Sequence, residues 1–249
     1  MKITRTHLIH EGKANNVYAT DSPFYLDLEA SDRISAGNGA KKDVVSNKGI
    51  ANNKISSALF TYLGNKGIPN HYLCEGHNPA SKIVRKADMI TFEVICRFYA
   101  VGSFCKRYGC EKGREFETPF VEFTFKHDNA DDPALSDPPI DRKTIPLLSD
   151  ITHIADEREV ALIEYYTART GELMREFYYE LGVDLIDFKL EFGRLPSGEI
   201  ILCDEISPDT CRLVDLKTGE SLDKDRFRED LGDVSKWYTE ILKRVIANK

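Results

Sequence analysis

The chain has 249 residues, 41% hydrophobic and 30% charged. That is enough to bury a core in one large domain or two modest ones, and too ordinary for a fibrous repeat or a disordered segment. A net charge of -7 with no lysine or arginine run excludes general phosphate-backbone binding, and no stretch reaches the roughly 20 apolar residues of a membrane span. The opening MKITRTHLIHEGK lacks the apolar centre of a signal peptide, so the expected compartment is the cytoplasm. Six cysteines without a Cys-x-x-Cys pair read as reduced thiols rather than disulfides or a zinc site.

Residues 1–46 alternate short β-prone runs (Asn16 to Ala19, Phe24 to Leu28) with turn residues, which predicts an antiparallel meander. Ile50, Ile55, Leu59 and Leu63 recur at helical spacing until Gly64, Gly67 and Pro69 end the run. Ile83-Val84 and then Met89 to Tyr99 are β-branched and aromatic and read as paired strands, with Arg97 near the end of the second. Four prolines and six aspartates between Lys126 and Asp150 predict a long loop. Apolar stripes predict helices over Asp156 to Leu181 and over Asp225 to Ile246.

Three clusters carry chemistry. In Val183-Asp-Leu-Ile-Asp-Phe-Lys-Leu-Glu-Phe-Gly193, strand alternation puts Asp187, Lys189 and Glu191 on one face and Phe188, Leu190 and Phe192 on the other. After the Pro196-Ser-Gly198 turn, Ile200 to Glu205 reads as the partner strand of a hairpin. Its Asp204 and Glu205 can converge with Glu191 on one cation, and oxygen-only ligands suit Mg²⁺ carrying substrate phosphates. A solvated sheet face with alternating charges carries the same pattern.

The second cluster is Glu11-Gly12-Lys13-Ala14, a glycine turn beside a lysine ahead of a β-prone run. It suits phosphate oxygens but has neither the Walker A nor the dinucleotide spacing, and taken alone an ordinary hairpin turn fits it better. The third is Arg97 to Arg107, where Gly102 and Ser103 lie between cations. It reads as a phosphate or carboxylate site or as a helix start capped by Ser103.

Taken in order, EGKANNVY, SAGNGA, NKGIANNKIS, GIPNHY, AVGSFCKR, VDLIDFKLEFG, DEISPDTCR and DKDRFREDLGD fall between residues 11 and 233, within a resemblance that runs from about residue 8 to residue 245. The series resembles the phosphoribosylaminoimidazole-succinocarboxamide synthase family. The resemblance implies a ligase of purine biosynthesis that joins L-aspartate to a carboxyaminoimidazole ribonucleotide, with ATP and Mg²⁺, through phosphorylation of the carboxylate. It implies an α+β fold with an N-terminal antiparallel lobe like the small lobe of a protein kinase (residues 1–95), a larger C-terminal α+β lobe (residues 96–249), and ATP in the cleft.

Carried onto this sequence, the resemblance places Gly12, Lys13, Ala14, Val17, Arg85 and Met89 at ATP. Asn38, Arg97, Ser103, Lys126, Asp132 and Arg212 fall at the substrates, Glu191 and Asp204 at the metal, and Asp187 and Lys189 at the reacting carboxylate. The chain departs from the family's pattern at Asn15, where a second lysine is common, in AVGSF with Phe98-Tyr99 before it, and at Asn38, where some members carry Asp. The partners implied are small molecules, with neither nucleic acid nor membrane, and a homodimer is compatible with members of this size. The rival readings are a small-molecule kinase, for which no H-R-D-type loop is present, and a non-catalytic nucleotide-binding module, which has no use for Arg97, Ser103 and Arg212 together.

Overall fold

A computed structural model describes residues 3–37, 39–126, 138–152 and 154–247. The N-terminal meander consists of β1 (Arg5–Glu11), β2 (Asn15–Thr20) and β3 (Tyr25–Ala30), followed by a small hairpin of β4 (Arg33–Ala36) and β5 (Lys41–Val44). Next come α1 (Lys48–Asn65), β6 (Tyr72–Glu75) and β7 (Ser81–Arg85), and the first sheet has the order β1-β2-β3-β7-β6.

A second sheet takes over with β8 (Asp88–Tyr99) and continues past α2 (Ser103–Tyr108) into β9 (Glu115–Phe125) and β10 (Pro139–Ile140). The helices α3 (Thr144–Thr152) and α4 (Glu157–Glu180) precede β11 (Val183–Arg194), β12 (Ile200–Cys203) and β13 (Cys211–Asp215), and α5 (Asp225–Arg228) and α6 (Val234–Ala247) follow. None of the described helices is long and apolar enough to cross a membrane.

The two β-rich runs around Lys86 do not pair with each other as predicted. β7 joins β3 and β6, whereas β8 joins β9 and β11, so the chain changes sheets at Lys86-Ala87, ahead of the division expected at residue 95. The Val183-to-Gly193 run is likewise more than one arm of a hairpin. β11 pairs β8 along one edge, and on its other edge it meets β13 over its first half and β12 over its second. The residues between β12 and β13 must therefore cross the face of that edge, which is where Asp204 to Thr210 lie.

The predicted alternation holds on the packed face. Phe188, Leu190 and Phe192 join Phe92, Val94, Cys96 and Phe98 of β8 in the core, and α4 lies over them so closely that a Cβ on Gly171 would sit 3.2 Å from the Cys96 sulfur and 3.3 Å from Phe188. The α4 start is fixed by a capping box. The Glu159 amide donates to Asp156 Oδ1 at 2.8 Å and the Asp156 amide donates to Glu159 Oε2 at 3.0 Å.

Two helical expectations need correction. Part of the predicted 126–150 loop is ordered as β10 and α3. The single helix predicted over Asp225 to Ile246 is two, because Asp230, Gly232 and Asp233 all take positive φ and Arg226 donates to the carbonyls of Leu231 and Gly232, pinning a turn where the apolar stripe ran on.

Candidate active site

One cavity of about 900 Å³ lies between the two sheets. Its first wall is apolar: Val17, Leu26, Leu28 and Val84 from the first sheet, closed by Ala87 and Met89 at the crossing point. The β1–β2 turn with Gly12, Lys13 and Ala14 forms its rim, and Arg85 stands beside it. Gly12 is tightly held, since its amide donates to the Asn15 carbonyl at 2.9 Å and a Cβ there would lie 2.6 Å from that oxygen.

The opposite wall is the polar face of β8 and β11. Period-two alternation puts Glu93, Ile95 and Arg97 beside Asp187, Lys189 and Glu191, and all six face the cavity. The register places Asp187 between Arg97 on β8 and Arg212 on β13. Asp187 Oδ2 accepts from Arg97 Nη1 and from Arg212 Nη1, both at 2.6 Å.

From there the pairing extends in both directions. Arg97 Nε donates to Glu122 at 2.8 Å and Glu122 also accepts from Arg107, while Arg212 Nε donates to Asp225 at 2.7 Å and Asp225 also accepts from Arg228. Four guanidiniums thus alternate with three carboxylates in one ribbon. An uncompensated arginine of this depth would be costly, and the alternation is what lets Arg97 sit at 2% exposure.

Ser103 Oγ accepts from Arg97 Nη2 at 3.3 Å. It is the first residue of α2 rather than its cap: the cap position is Gly102, at φ 57, where a Cβ would fall 2.8 Å from Arg212 Nη2. Arg97, Ser103 and Arg212 therefore form one cluster, as the sequence predicts, although Arg97 spends most of its donors on Glu122 and Asp187. Asp187 is clamped between the two guanidiniums and orients them.

Further along β11 the balance of charge reverses. Lys189 Nζ donates to Glu93 at 2.6 Å and to Glu191 at 2.9 Å, and Lys126 Nζ donates to Glu191 at 2.8 Å. Burial opposes the charge on Lys189, but Glu191 and Glu93 outweigh it and hold the ammonium well above its ordinary value. Burial also opposes the charge on Glu191, and Lys189 and Lys126 outweigh it, bringing the acid down to about 2.

Asp204 behaves oppositely. Burial, and then Glu191 and Glu205 nearby, pushes its carboxyl up to about 7, and its Oδ1 accepts a 3.5 Å hydrogen bond from Asn15. A buried acid raised by burial and by neighbouring acids marks a site that favours added positive charge. No group of three or more His, Cys, Asp or Glu poised for a metal occurs among the described residues, so a cation here would draw its remaining ligands from water and phosphate, which is how Mg²⁺ is commonly held. The donor set fits that ion.

The loop after Asp204 is braced from below. Lys48 Nζ donates to Asp209 at 2.7 Å, Tyr238 donates to the other Asp209 oxygen, and Ser207 Oγ donates to Glu205 at 2.7 Å. His71 lines the cavity as a neutral ring, held well below its ordinary value by burial and then by Lys82 and Arg85, and its Nε2 has no hydrogen-bond partner among the described residues.

Fourteen of the residues singled out in the sequence line this one cavity: Gly12, Lys13, Ala14, Val17, Arg85, Met89, Arg97, Ser103, Lys126, Asp187, Lys189, Glu191, Asp204 and Arg212. Asn38 and Asp132 lie outside the described residues. Sequence reasoning missed Glu93, Asp209, Lys224 and Arg228. Glu93 was legible from its two-residue spacing to Ile95 and Arg97; Lys224 and Arg228 stand in the DKDRFRED motif but acquire a place only when α5 folds beside Arg212.

The SAICAR synthetase family model matches residues 8–245. The chain is 44% identical to the phosphoribosylaminoimidazole-succinocarboxamide synthase of Caldanaerobacter subterraneus subsp. tengcongensis over 241 residues, 97% of this chain and 98% of that one. Among solved structures, the same enzyme of Ehrlichia chaffeensis superposes with a TM-score of 0.89 at 37% identity, covering 97% of this chain and 99% of that one. A type-2 SAICAR synthetase in complex with ADP gives 0.87 at 37% identity, covering 95% and 96%. With the match running through both walls of the cavity and nearly the full length of each relative, the chain belongs to the SAICAR synthetase family.

Proposed function

We infer that the chain is the ATP-dependent ligase that condenses a carboxyaminoimidazole ribonucleotide with L-aspartate to give the succinocarboxamide, ADP and phosphate. The observation that carries this reading is Lys189, a permanently charged ammonium on β11 between the acidic end of the cavity and the Arg97–Asp187–Arg212 row. The relative whose structure contains ADP, at 37% identity, supports the nucleotide half of the reading.

The adenine is assigned to the apolar wall of Val17, Leu26, Leu28, Val84 and Met89, and the phosphates to the Gly12–Ala14 turn with Lys13. Glu191 and Asp204 would hold Mg²⁺, which supplies charge neutralisation at the transferring phosphoryl group. The ribonucleotide phosphate belongs at Ser103 and Arg212, with Arg97 bonded to Ser103 and Asp187 bridging Arg97 to Arg212. That arrangement points the ribonucleotide carboxylate toward Lys189.

A carboxylate resists amines because its leaving group is oxide. Transfer of the terminal phosphoryl group of ATP makes an acyl phosphate and releases ADP; attack by the aspartate amine then expels phosphate and forms the amide. Lys189 neutralises the carboxylate as it approaches the triphosphate, Lys126 shares that work on the Glu191 side, and the rest of the site fixes alignment. Neither lysine is poised to take a proton, so the amine must arrive neutral, and the proton it sheds as the amide forms leaves on the departing phosphate.

The reading makes the chain a cytoplasmic enzyme acting on small molecules, with neither nucleic acid nor membrane as a partner, and a homodimer is the assembly to test by light scattering. Purified protein with ATP, Mg²⁺ and the ribonucleotide should release ADP many times faster when L-aspartate is added. Equal ADP release with and without aspartate would favour the small-molecule kinase and overturn the ligase.

A further inference from the structure

Two of the six cysteines stand apart from the rest. Cys96, Cys203 and Cys211 are buried in β8, β12 and β13, and Cys74 lies in the first sheet on β6. Cys105 and Cys110 are both partly exposed, and Cys110 Sγ approaches Cys105 Sγ to 3.6 Å. Gly109 brings them together: it ends α2 in the left-handed conformation at φ 61, donates its amide to the Cys105 carbonyl at 2.8 Å, and turns the chain back over the helix.

We propose that Cys105 and Cys110 are a reversible disulfide site whose closure weakens the hold of Ser103 and Arg212 on the ribonucleotide phosphate. The second half of this proposal rests on the substrate assignment above; the first half does not. A disulfide needs a sulfur separation of about 2.05 Å, so the two atoms have only to close a short gap, although Phe104 of the same helix packs on Phe116 and Phe120. α2 buries none of its six residues.

The contraction cannot be absorbed at the base of the segment. The Gly113 amide donates to the Ala100 carbonyl and the Ala100 amide to the Arg114 carbonyl, each at 2.8 Å, which ties the two ends together. It falls instead on α2, whose first residue is Ser103 and whose Arg107 is bonded to Glu122, the partner of Arg97. Gly102 abuts the Arg212 guanidinium with no room for even a Cβ, so a shift at this point moves the phosphate ligands relative to each other.

The oxidant is a small-molecule disulfide. One protein thiolate attacks it, forming a mixed disulfide and releasing one small thiolate; the second protein thiolate then attacks the protein sulfur and releases the other. Two protein thiols become one disulfide, the oxidant gains two electrons, and the two thiol protons end on the two departing thiolates. Partial burial and the adjacent Cys110 sulfur raise the Cys105 thiol above its ordinary value.

The test uses the full-length protein, reduced and then treated with oxidised glutathione. Trypsin cuts at Lys106 and Arg107, between the two cysteines, so the disulfide appears as a linked peptide pair that a reductant separates. The linked form should show the KM for the ribonucleotide raised about tenfold with the KM for ATP within about twofold. Cys105→Ser and Cys110→Ser should keep the reduced values with or without oxidant. Absence of the linked peptides overturns the site, and linked peptides with an unchanged ribonucleotide KM overturn its effect, as does an equal response in the serine variants. If the reduced protein has no ligase turnover, the functional reading fails by itself; the peptides still decide the disulfide, and calorimetric titration of both forms with ribose 5-phosphate decides the effect.

Discussion

The two halves of β11 hold charge in opposite ways. Around Asp187, every carboxylate of the ribbon from Arg107 to Arg228 touches two guanidiniums, and the cations exceed the acids by one. Around Glu191 the acids are in excess: Glu93, Glu191, Asp204 and Glu205 all line the cavity, Lys189 and Lys126 bond the first two, and Asp204 accepts a hydrogen bond from Asn15. On the proposed reading the first half is an anion site assembled before its anion arrives, and the second is a site whose charge is completed by what binds.

The largest effect should come from breaking the acid-rich half. Glu191→Gln should lower turnover by about two orders of magnitude or more while the protein stays folded, because metal charge stabilisation is worth several kcal/mol. Near-normal turnover, with circular dichroism unchanged, would remove Glu191 from the metal assignment.

Next comes the ribbon. Asp187→Ala leaves Arg97 and Arg212 facing each other without their shared acid, and stability should fall by about 3–5 kcal/mol, read from urea midpoints. Asp187→Asn keeps the shape, and should raise the ribonucleotide KM by about tenfold or more with a smaller change in kcat. A kcat collapse at unchanged KM would make Asp187 a catalytic base and reverse our placement of it.

A pH experiment separates the two halves more finely. The Asp204 carboxyl is raised to about 7 from an ordinary value near 4, so the folded state holds this proton more tightly than the unfolded chain does. The resulting stability is complete below the ordinary value and is lost as pH climbs through about 7. In metal-free protein, Asp204→Asn should therefore be more stable than the parent above that range, by about 4 kcal/mol, with the advantage shrinking as pH falls and gone below the ordinary value. Parallel stability curves for the two proteins would show that Asp204 is not short of a cation. The smallest effect belongs to the rim: Lys13→Ala should raise the KM for ATP by only about fivefold, because the β1–β2 turn is solvated and its charge screened.

Legibility followed the same division. Alternation in one strand was enough to put Asp187, Lys189 and Glu191 on one face, because a period of two is a local property. It could not show that β11 has a neighbour on each edge, and so it left a solvated face as an open alternative; the flanking strands, with Asp187 and Glu191 each 4% exposed, close it. The long helix predicted from Asp225 failed for a comparable reason: its apolar stripe is real, but the break is set by backbone conformations at Asp230, Gly232 and Asp233 and by Arg226 donating to the carbonyls of Leu231 and Gly232. That break is also what separates α5, with Asp225 and Arg228, from α6 and leaves it beside Arg212. Naming the lobes and the substrates took the ordered motifs; no periodicity supplies a substrate.

Asp204 has one more property with consequences for which sequences this site accepts. Its backbone sits at φ 57, in the left-handed region, where asparagine and glycine are comfortable and a longer or branched side chain is strained. Glutamate, the obvious charge-preserving exchange, is thus penalised by the main chain by about 1–2 kcal/mol, while asparagine is admitted by the main chain but gives up the charge that the proposed metal site needs. A single-residue route away from aspartate therefore costs either backbone strain or the charge.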